Sequence, residues 1–219
     1  MLVLTLDKKG VISAVVLAIL LVVFGKAYGL FFLALLFVFL VLSAIVTNVG
    51  KRKKRRMGLY EKARGWRNVL ANGLVPIFIA IAFFFAGSNS YILALGYVAS
   101  IAAITADKFA SEIGVLDGMP VMLLTMKRVE RGVSGGVTLL GLGASALASF
   151  IISFGSFFIS PSLLAFIIVF ISGFLGNIID SILGYYEEKG VGNKYTTNMA
   201  CALSGFVFAL LFLAMAGLW

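Results

Sequence analysis

The sequence contains no histidine and a single cysteine, Cys201, and charged residues fill only 12% of its 219 positions. Without histidine there is no imidazole base and no imidazole metal ligand, and one thiol permits neither an internal disulfide nor a thiolate cluster. Any metal must therefore be held by oxygen, which selects hard cations such as Mg2+ or Mn2+. The shortage of charge accompanies 62% hydrophobic residues and a mean hydropathy of +1.11. A soluble domain is about 45–50% apolar and about 25% charged, so this composition describes a chain solvated by lipid. The expectation is a single integral membrane domain over 1–219, without a soluble appendage. A net charge of +9 in a soluble protein would suggest nucleic acid as a partner; here topology accounts for it, and no nucleic acid is expected.

Hydropathy predicts an all-α polytopic bundle of seven helices, at roughly 11–28, 29–49, 68–87, 91–112, 135–158, 162–185 and 197–217. The first is the shortest. No small-x-small cleavage site follows it, since Gly25-Lys26-Ala27-Tyr28-Gly29 leads straight into the next apolar run, so it is expected to be retained rather than cleaved as a signal. The run Lys51-Arg52-Lys53-Lys54-Arg55-Arg56 fixes the orientation, because short loops rich in Lys and Arg stay in the cytoplasm. Alternation then puts 1–10, 113–134 and 186–196 on the same side, and every Lys and Arg except Lys26 falls there. The N-terminus is expected inside and the C-terminus outside. The basic run itself serves as a topology signal and a contact for anionic lipid.

With this orientation the unusual polar residues collect at the cytoplasmic end. Asp107, Glu112 and Asp180 lie near the ends of apolar, membrane-length segments, where an ionisable group is costly and signals a working site. Asp107 and Ser111 share a helix face. Asp107 and Glu112 are about 140° apart on a regular helix, so they meet at one cation only if the helix ends or unwinds near Gly114; a simple ion pair between Lys108 and Glu112, four residues apart, is the competing role for Glu112. Gly173, Gly176, Asp180 and Gly184 fall on one stripe of the sixth helix with Asn177 alongside, which allows close helix approach and turns Asp180 toward protein.

Three further clusters sit at the same end. Asn68 and Asn72 share a face of the third helix, and Pro76 cannot donate to the Asn72 carbonyl. Gly132-Val133-Ser134-Gly135-Gly136 is expected to open the fifth helix after Lys127, Arg128 and Arg131; backbone N–H groups at such a helix start can cradle phosphate. The segment lacks the G-x-x-x-x-G-K-[ST] pattern, so it is not a P-loop. Asn193 and Asn198 flank the start of the last helix, and capping is the ordinary role for Asn198. Glu187-Glu188-Lys189 is expected to be a solvated turn. Acids, amides and glycine turns gathered at a lipid–water boundary point to metal-assisted phosphate chemistry on a lipid.

These clusters together resemble the family known as domain of unknown function 92, which includes transmembrane protein 19 and the plastid phytyl-phosphate kinases. The resemblance rests on Arg67-Asn68 through Asn72-Gly73, on Ala106 to Gly114, on Gly132 to Gly141, on Gly176-Asn177-Ile178-Ile179-Asp180-Ser181-Ile182-Leu183-Gly184, and on Asn193 with Asn198, in order over 67–198. Where the family reads A-D-T-W-A-S-E-I-G, this chain has Lys108 and Phe109 in place of Thr and Trp; both acids are kept.

The resemblance implies an integral-membrane kinase that converts a phytyl- or geranylgeranyl-type monophosphate to its diphosphate, with CTP or another nucleoside triphosphate as donor and Mg2+ as cofactor. In that reading Asp107, Glu112 and Asp180 are the catalytic metal ligands. Ser134, Gly135 and Gly136 cradle phosphate oxygens, and Lys127, Arg128 or Arg131 offsets charge. Arg67, Asn68, Asn72, Asn177, Asn193 and Asn198 complete the nucleotide and substrate contacts. The acceptor phosphate is already anionic, so no general base is needed and the missing histidine is no obstacle. Cytidylyl transfer from CTP to a lipid phosphate would use the same acids. A transporter or flippase for an anionic lipid needs polar residues along the depth of the bundle, whereas these acids cluster at one end. The expected location is the cell membrane, with the site facing the cytoplasm.

The orientation is testable without a substrate. In a background lacking Cys201, Arg55→Cys, Thr125→Cys and Gly190→Cys should react with an impermeant thiol reagent only when the cytoplasmic face is opened, and Asn89→Cys only from the opposite face. Labelling of Thr125→Cys from outside would invert the arrangement.

Overall fold

The computed structural model describes residues 6–60, 65–87 and 90–218. Asn89, the first five residues, and Lys62 and Arg64 of the basic stretch lie outside the described residues. The chain forms helices α1 (Lys8–Phe24), α2 (Gly29–Asn48), α3 (Lys51–Arg56), α4 (Trp66–Phe85) and α5 (Ser90–Gly114). A two-stranded hairpin, β1 (Val121–Met122) with β2 (Gly136–Val137), precedes α6 (Leu139–Ser153), α7 (Leu163–Glu187) and α8 (Lys194–Met215). The protein is an all-α polytopic membrane bundle. Among the described residues six helical segments are long and apolar enough to cross a membrane, beginning with Lys26–Asn48. The remaining apolar helix, α1, has 17 residues, about 26 Å at about 1.5 Å per residue, against a hydrocarbon core of about 30 Å.

Among the helix boundaries that differ from the sequence expectation, two show their local reasons plainly. Helix α1 starts three residues earlier than expected because Asp7 caps it, its Oδ1 accepting from the Gly10 N–H at 2.6 Å. Helix α6 starts at Leu139 rather than at Gly135: Thr138 is the cap, its Oγ1 accepting from the Gly141 N–H at 3.1 Å. Gly136 and Val137 are extended and paired with β1, so the Gly132-to-Gly136 segment belongs to the hairpin and not to a helix start.

Contacts gather the connections into two unlike ends. At one end Lys53 Nζ donates to the Leu116 carbonyl at 2.6 Å, Arg131 reaches Met57, and Ser134 bonds to Glu187 and Glu188. The opposite end is aromatic: Tyr28 packs edge-on against Phe83 and Phe158, and Phe31 stacks on Phe158 at 4.7 Å. The α2–α3 turn, the hairpin and the α7–α8 turn therefore share one polar face of the bundle.

Helix α5 is the central pillar. Of its apolar window 78% is buried, against 33–44% for the other spans. It packs on α2, α4, α6, α7 and α8. Its sequence explains this position: Ala94, Ala99, Ala102, Ala103 and Ala106 are all fully buried and let neighbouring backbones come close. The α7 glycines meet them, since a Cβ at Gly176 would lie 2.6 Å from the Ala103 Cβ, and one at Gly173 would lie 2.5 Å from that of Ala102. Tyr97, in the middle of α5, is fully buried with its hydroxyl donating to the Phe32 carbonyl at 2.9 Å. Outward, Leu30, Phe78, Leu147 and Leu163 are more than half exposed, as a lipid-facing surface requires.

The basic helix α3 is tied to this pillar by a charge. Lys54 is completely buried; its ammonium meets Glu112 Oε2 at 2.6 Å and donates to the carbonyls of Val46 and Thr47 at 3.1 and 3.2 Å. Glu112 Oε1 is paired with Lys108 at 2.5 Å and accepts from Thr47 Oγ1 at 2.8 Å. Removing Lys54 leaves the buried Glu112 with Lys108 still beside it, so Lys54→Met is expected to lower stability by about 1–3 kcal/mol, less than the cost of about 3–5 kcal/mol for a buried pair broken outright. Thermal unfolding in detergent checks this; a variant as stable as the parent would mean that α3 is not held by the pair.

Candidate active site at the polar end

Helix α5 runs regularly through Gly114, so Asp107 and Glu112 leave it on different sides. Glu112 goes to α3 and its two lysines. Asp107 faces α7, where it lies against Asp180. The structure thus brings Asp107 and Asp180 together and keeps Glu112 apart from them.

The two aspartates line a cavity of about 260 Å3 at the polar end of the bundle. Its walls come from the end of α5, the hairpin, α7 and the start of α8. Of the residues singled out in the sequence it takes in Asp107, Arg131, Ser134, Gly135, Gly136, Asn177, Asp180 and Asn198. Glycine packing positions the α7 members: Gly176 and Gly184 draw α7 against α5 and the hairpin, which carries Asn177 and Asp180 to the cavity wall.

Other expected contributors stand elsewhere. Lys127 and Arg128 are exposed near the tip of the hairpin, away from the lining. Arg67 is exposed, with its guanidinium 5.5 Å from the Trp66 ring. Asn193 is the cap of α8, accepting from the N–H groups of Tyr195 and Thr196 in a capping box. Asn68 and Asn72 lie on a neighbouring constriction of about 30 Å3 that also touches Asp107, Lys108, Ser111, Lys194 and Asn198.

Three members were not visible in the sequence. Lys194 and Thr197 enter because the first turn of α8 faces the cavity. Glu187 was expected in a solvated turn but is half-buried: its Oε2 accepts from Ser134 Oγ at 3.0 Å and from Thr197 Oγ1 at 3.4 Å. Glu188 Oε1 accepts from the Ser134 N–H at 2.8 Å. The hairpin is thereby clamped to the end of α7 through carboxylates seated on the loop donors.

The polar atoms in this cavity are incompletely matched. Asn177 is 1% exposed, yet neither its Nδ2 nor its Oδ1 has a hydrogen-bond partner among the described residues, and the same holds for the buried Oδ1 of Asp180. A buried polar atom left unpaired costs about 1–3 kcal/mol, so three at one place fit a wall that binds water, an ion or a polar ligand. Two carboxylates side by side in a poorly solvated cavity repel, and a cation between them relieves that repulsion. Among the described residues no three His, Cys, Asp or Glu side chains converge as a complete ligand set. Two carboxylates and an amide oxygen instead match the usual pattern for Mg2+, which takes one or two carboxylates and completes its shell with water and substrate phosphate. Arg131 and Lys194 on the same walls put positive charge beside the acids.

The role of Gly135 follows from its surroundings. Its φ is +77°, and a Cβ there would lie 2.5 Å from the Ser181 carbonyl oxygen and 2.8 Å from the Tyr185 nitrogen. The hairpin backbone therefore rests directly on that of α7, with Gly184 the reciprocal glycine. Gly135→Ala is expected to lower thermal stability in step with any loss of function, because the added methyl meets backbone and the conformation is left-handed. Unchanged stability with weakened nucleotide binding would instead make this turn a phosphate cradle.

Comparison with known proteins places this geometry in a family. The chain is 35% identical over 208 residues to an uncharacterized membrane protein of Methanocaldococcus jannaschii, covering 94% of this chain and 85% of that one. It is 34% identical over 209 residues to protein PGR of Arabidopsis thaliana, with 82% and 71% covered. It is 32% identical over 183 residues to the chloroplastic protein VTE6 of the same plant, with 79% of this chain and 54% of VTE6 covered. No solved structure matches it. The family model described as integral membrane protein DUF92 matches residues 2–215, and the chain belongs to that family.

Proposed function

We propose that the protein is a membrane phosphotransferase that moves a phosphoryl group from a nucleoside triphosphate, CTP by family resemblance, to the phosphate of a prenyl monophosphate. The observation that carries this reading is the Asp107–Asp180 pair, with the unmatched Asp180 Oδ1 and Asn177 amide beside it, in a polar cavity at the end of a lipid-embedded bundle. Phosphoryl transfer requires mainly positioning and charge neutralisation, and both are within reach of these side chains. With this orientation the cavity opens to the cytoplasm, where a soluble nucleotide is found, while the lipid tail stays in the bilayer.

In the proposed site Asp107, Asp180 and the Asn177 carbonyl oxygen hold Mg2+. When bound, Mg2+ supplies charge neutralisation at the donor phosphates. Arg131 and Lys194 orient phosphate oxygens electrostatically and Asn198 donates an amide hydrogen bond. The hairpin covers the cavity on the solvent side and limits water, which competes with the acceptor. The acceptor is itself a phosphate anion, so no residue has to remove a proton from it. The Glu187–Ser134 clamp positions the hairpin against α7, and Glu112 contributes through its ion pairs to the anchoring of α3 rather than at the cation.

Purified protein with Mg2+, CTP and geranylgeranyl phosphate should yield CDP and geranylgeranyl diphosphate by mass spectrometry. Release of diphosphate with a CDP-linked lipid would assign cytidylyl transfer instead. Asp107→Asn and Asp180→Asn should each lower kcat by at least about a hundredfold, the scale of removing a preorganised electrostatic contact, with little loss of thermal stability. Near-normal turnover of either variant at saturating Mg2+ would remove that aspartate from the site.

A further inference from the structure

A second cavity, of about 220 Å3, lies between α1, α2 and α4. Its lining is apolar, formed among others by Leu17, Ala18, Leu36, Phe37 and Gly73, and among the described residues its only polar side chains are Asn68 and Asn72. Val15 and Phe37 on its rim are more than half exposed, so the groove opens sideways toward lipid. Three glycine and alanine positions make the space: Ala14 and Ala18 are one turn apart on α1, and Gly73 faces Leu17 so closely that a Cβ there would collide with its Cδ1.

The groove is continuous with the candidate active site. Phe39, Asn68 and Asn72 belong both to the groove and to the small constriction beside it, while Asp107, Ser111, Lys194 and Asn198 belong both to that constriction and to the polar cavity. Along this path the lining changes from hydrocarbon, through two amides and the ammonium-bearing Lys108 and Lys194, to the paired aspartates. That order matches an amphiphile with an apolar tail and an anionic head. It does not match bulk lipid, which has no reason to be led toward carboxylates.

We infer that the groove between α1, α2 and α4 is the tail-binding site for the lipid substrate, a long branched hydrocarbon monophosphate whose head group enters the constriction at Asn68 and Asn72. This inference rests on the proposed function for the identity of the head group. The tail enters laterally from the bilayer, and Asn68, Asn72 and Lys108 hold the acceptor phosphate beside Asp107 in the constriction, which no hairpin residue lines. Donor and acceptor thus approach the aspartate pair from different cavities, which gives the two-sided access that an in-line transfer requires.

The test uses the full chain in lipid nanodiscs and geranylgeranyl monophosphate carrying a diazirine near the tail end, with labelled positions mapped by mass spectrometry. Labels are expected on α1, α2 and α4, suppressed by unlabelled geranylgeranyl phosphate but not by geranylgeraniol or dimethylallyl phosphate. Labels spread over the lipid-facing sides of α6, α7 and α8, or competition by the alcohol equal to that by the phosphate, would overturn the groove. Ala18→Trp should lower the preference for geranylgeranyl over dimethylallyl phosphate by at least roughly tenfold in binding competition; an unchanged preference in a variant that still unfolds cooperatively would also overturn it. Product formation from the unlabelled lipid and CTP separates the two proposals. Labelling in the groove without product defeats the kinase reading alone, and product with labels elsewhere defeats the groove alone.

Discussion

Lipid offers no hydrogen-bond partners, so a polar group below the water line of this protein is costly unless it is matched from within the bundle. That constraint organises the molecule. The deep part of the bundle is nearly all hydrocarbon; some of its hydroxyls turn back on nearby carbonyls, as Thr105 does to Ile101 and Ser153 to Ser149, while those of Ser43, Ser100 and Ser172 have no partner among the described residues. The aromatic end seals itself by ring packing around Tyr28 and Phe158. Apart from Lys26, which lies over the Phe84 ring, the charge gathers at the other end, where two solutions stand side by side on one helix. Glu112 is matched completely, by Lys54, Lys108 and Thr47. Asp180, facing α5 from α7, keeps one oxygen unmatched, and the contrast sets a structural acid beside the one proposed to hold the cation.

Helix α5 connects these two solutions because it is made of small residues. Its alanines admit the α7 glycines closely enough to set Asp180 against Asp107, and its last turn sends Glu112 outward to fix the basic helix α3. Stability and the site therefore share one element. The charged run at 51–56 both marks a membrane side and sends one member inward as an anchor.

Much of this was legible in the sequence. Apolar runs predicted the spans, and the 100° step per residue already separated Asp107 from Glu112 on a regular helix; the structure keeps the helix regular, and the separation follows. The glycine stripe around Asp180 also foretold its inward position. What could not be seen depends on tertiary contacts between distant segments. Nothing local distinguishes Lys54 from its five basic neighbours; its burial comes from the turn at Gly50, whose φ of +64° folds α3 under the bundle. Glu187 looked like a solvated turn because its partners, Ser134 and Thr197, come from two other elements. The hairpin strands are two residues each, too short to give a periodic signal, and the apolar groove exists only where three helices meet.

The account turns on a divalent cation held between Asp107 and Asp180. Electron paramagnetic resonance of Mn2+ added to the purified protein without nucleotide, which would itself bind the ion, measures this directly, independent of any lipid acceptor. Loss of the free-ion signal is predicted for the parent protein, with its return in Asp107→Asn and in Asp180→Asn and its continued loss in Glu112→Gln. Equal Mn2+ binding by the parent and both aspartate variants would contradict the assignment.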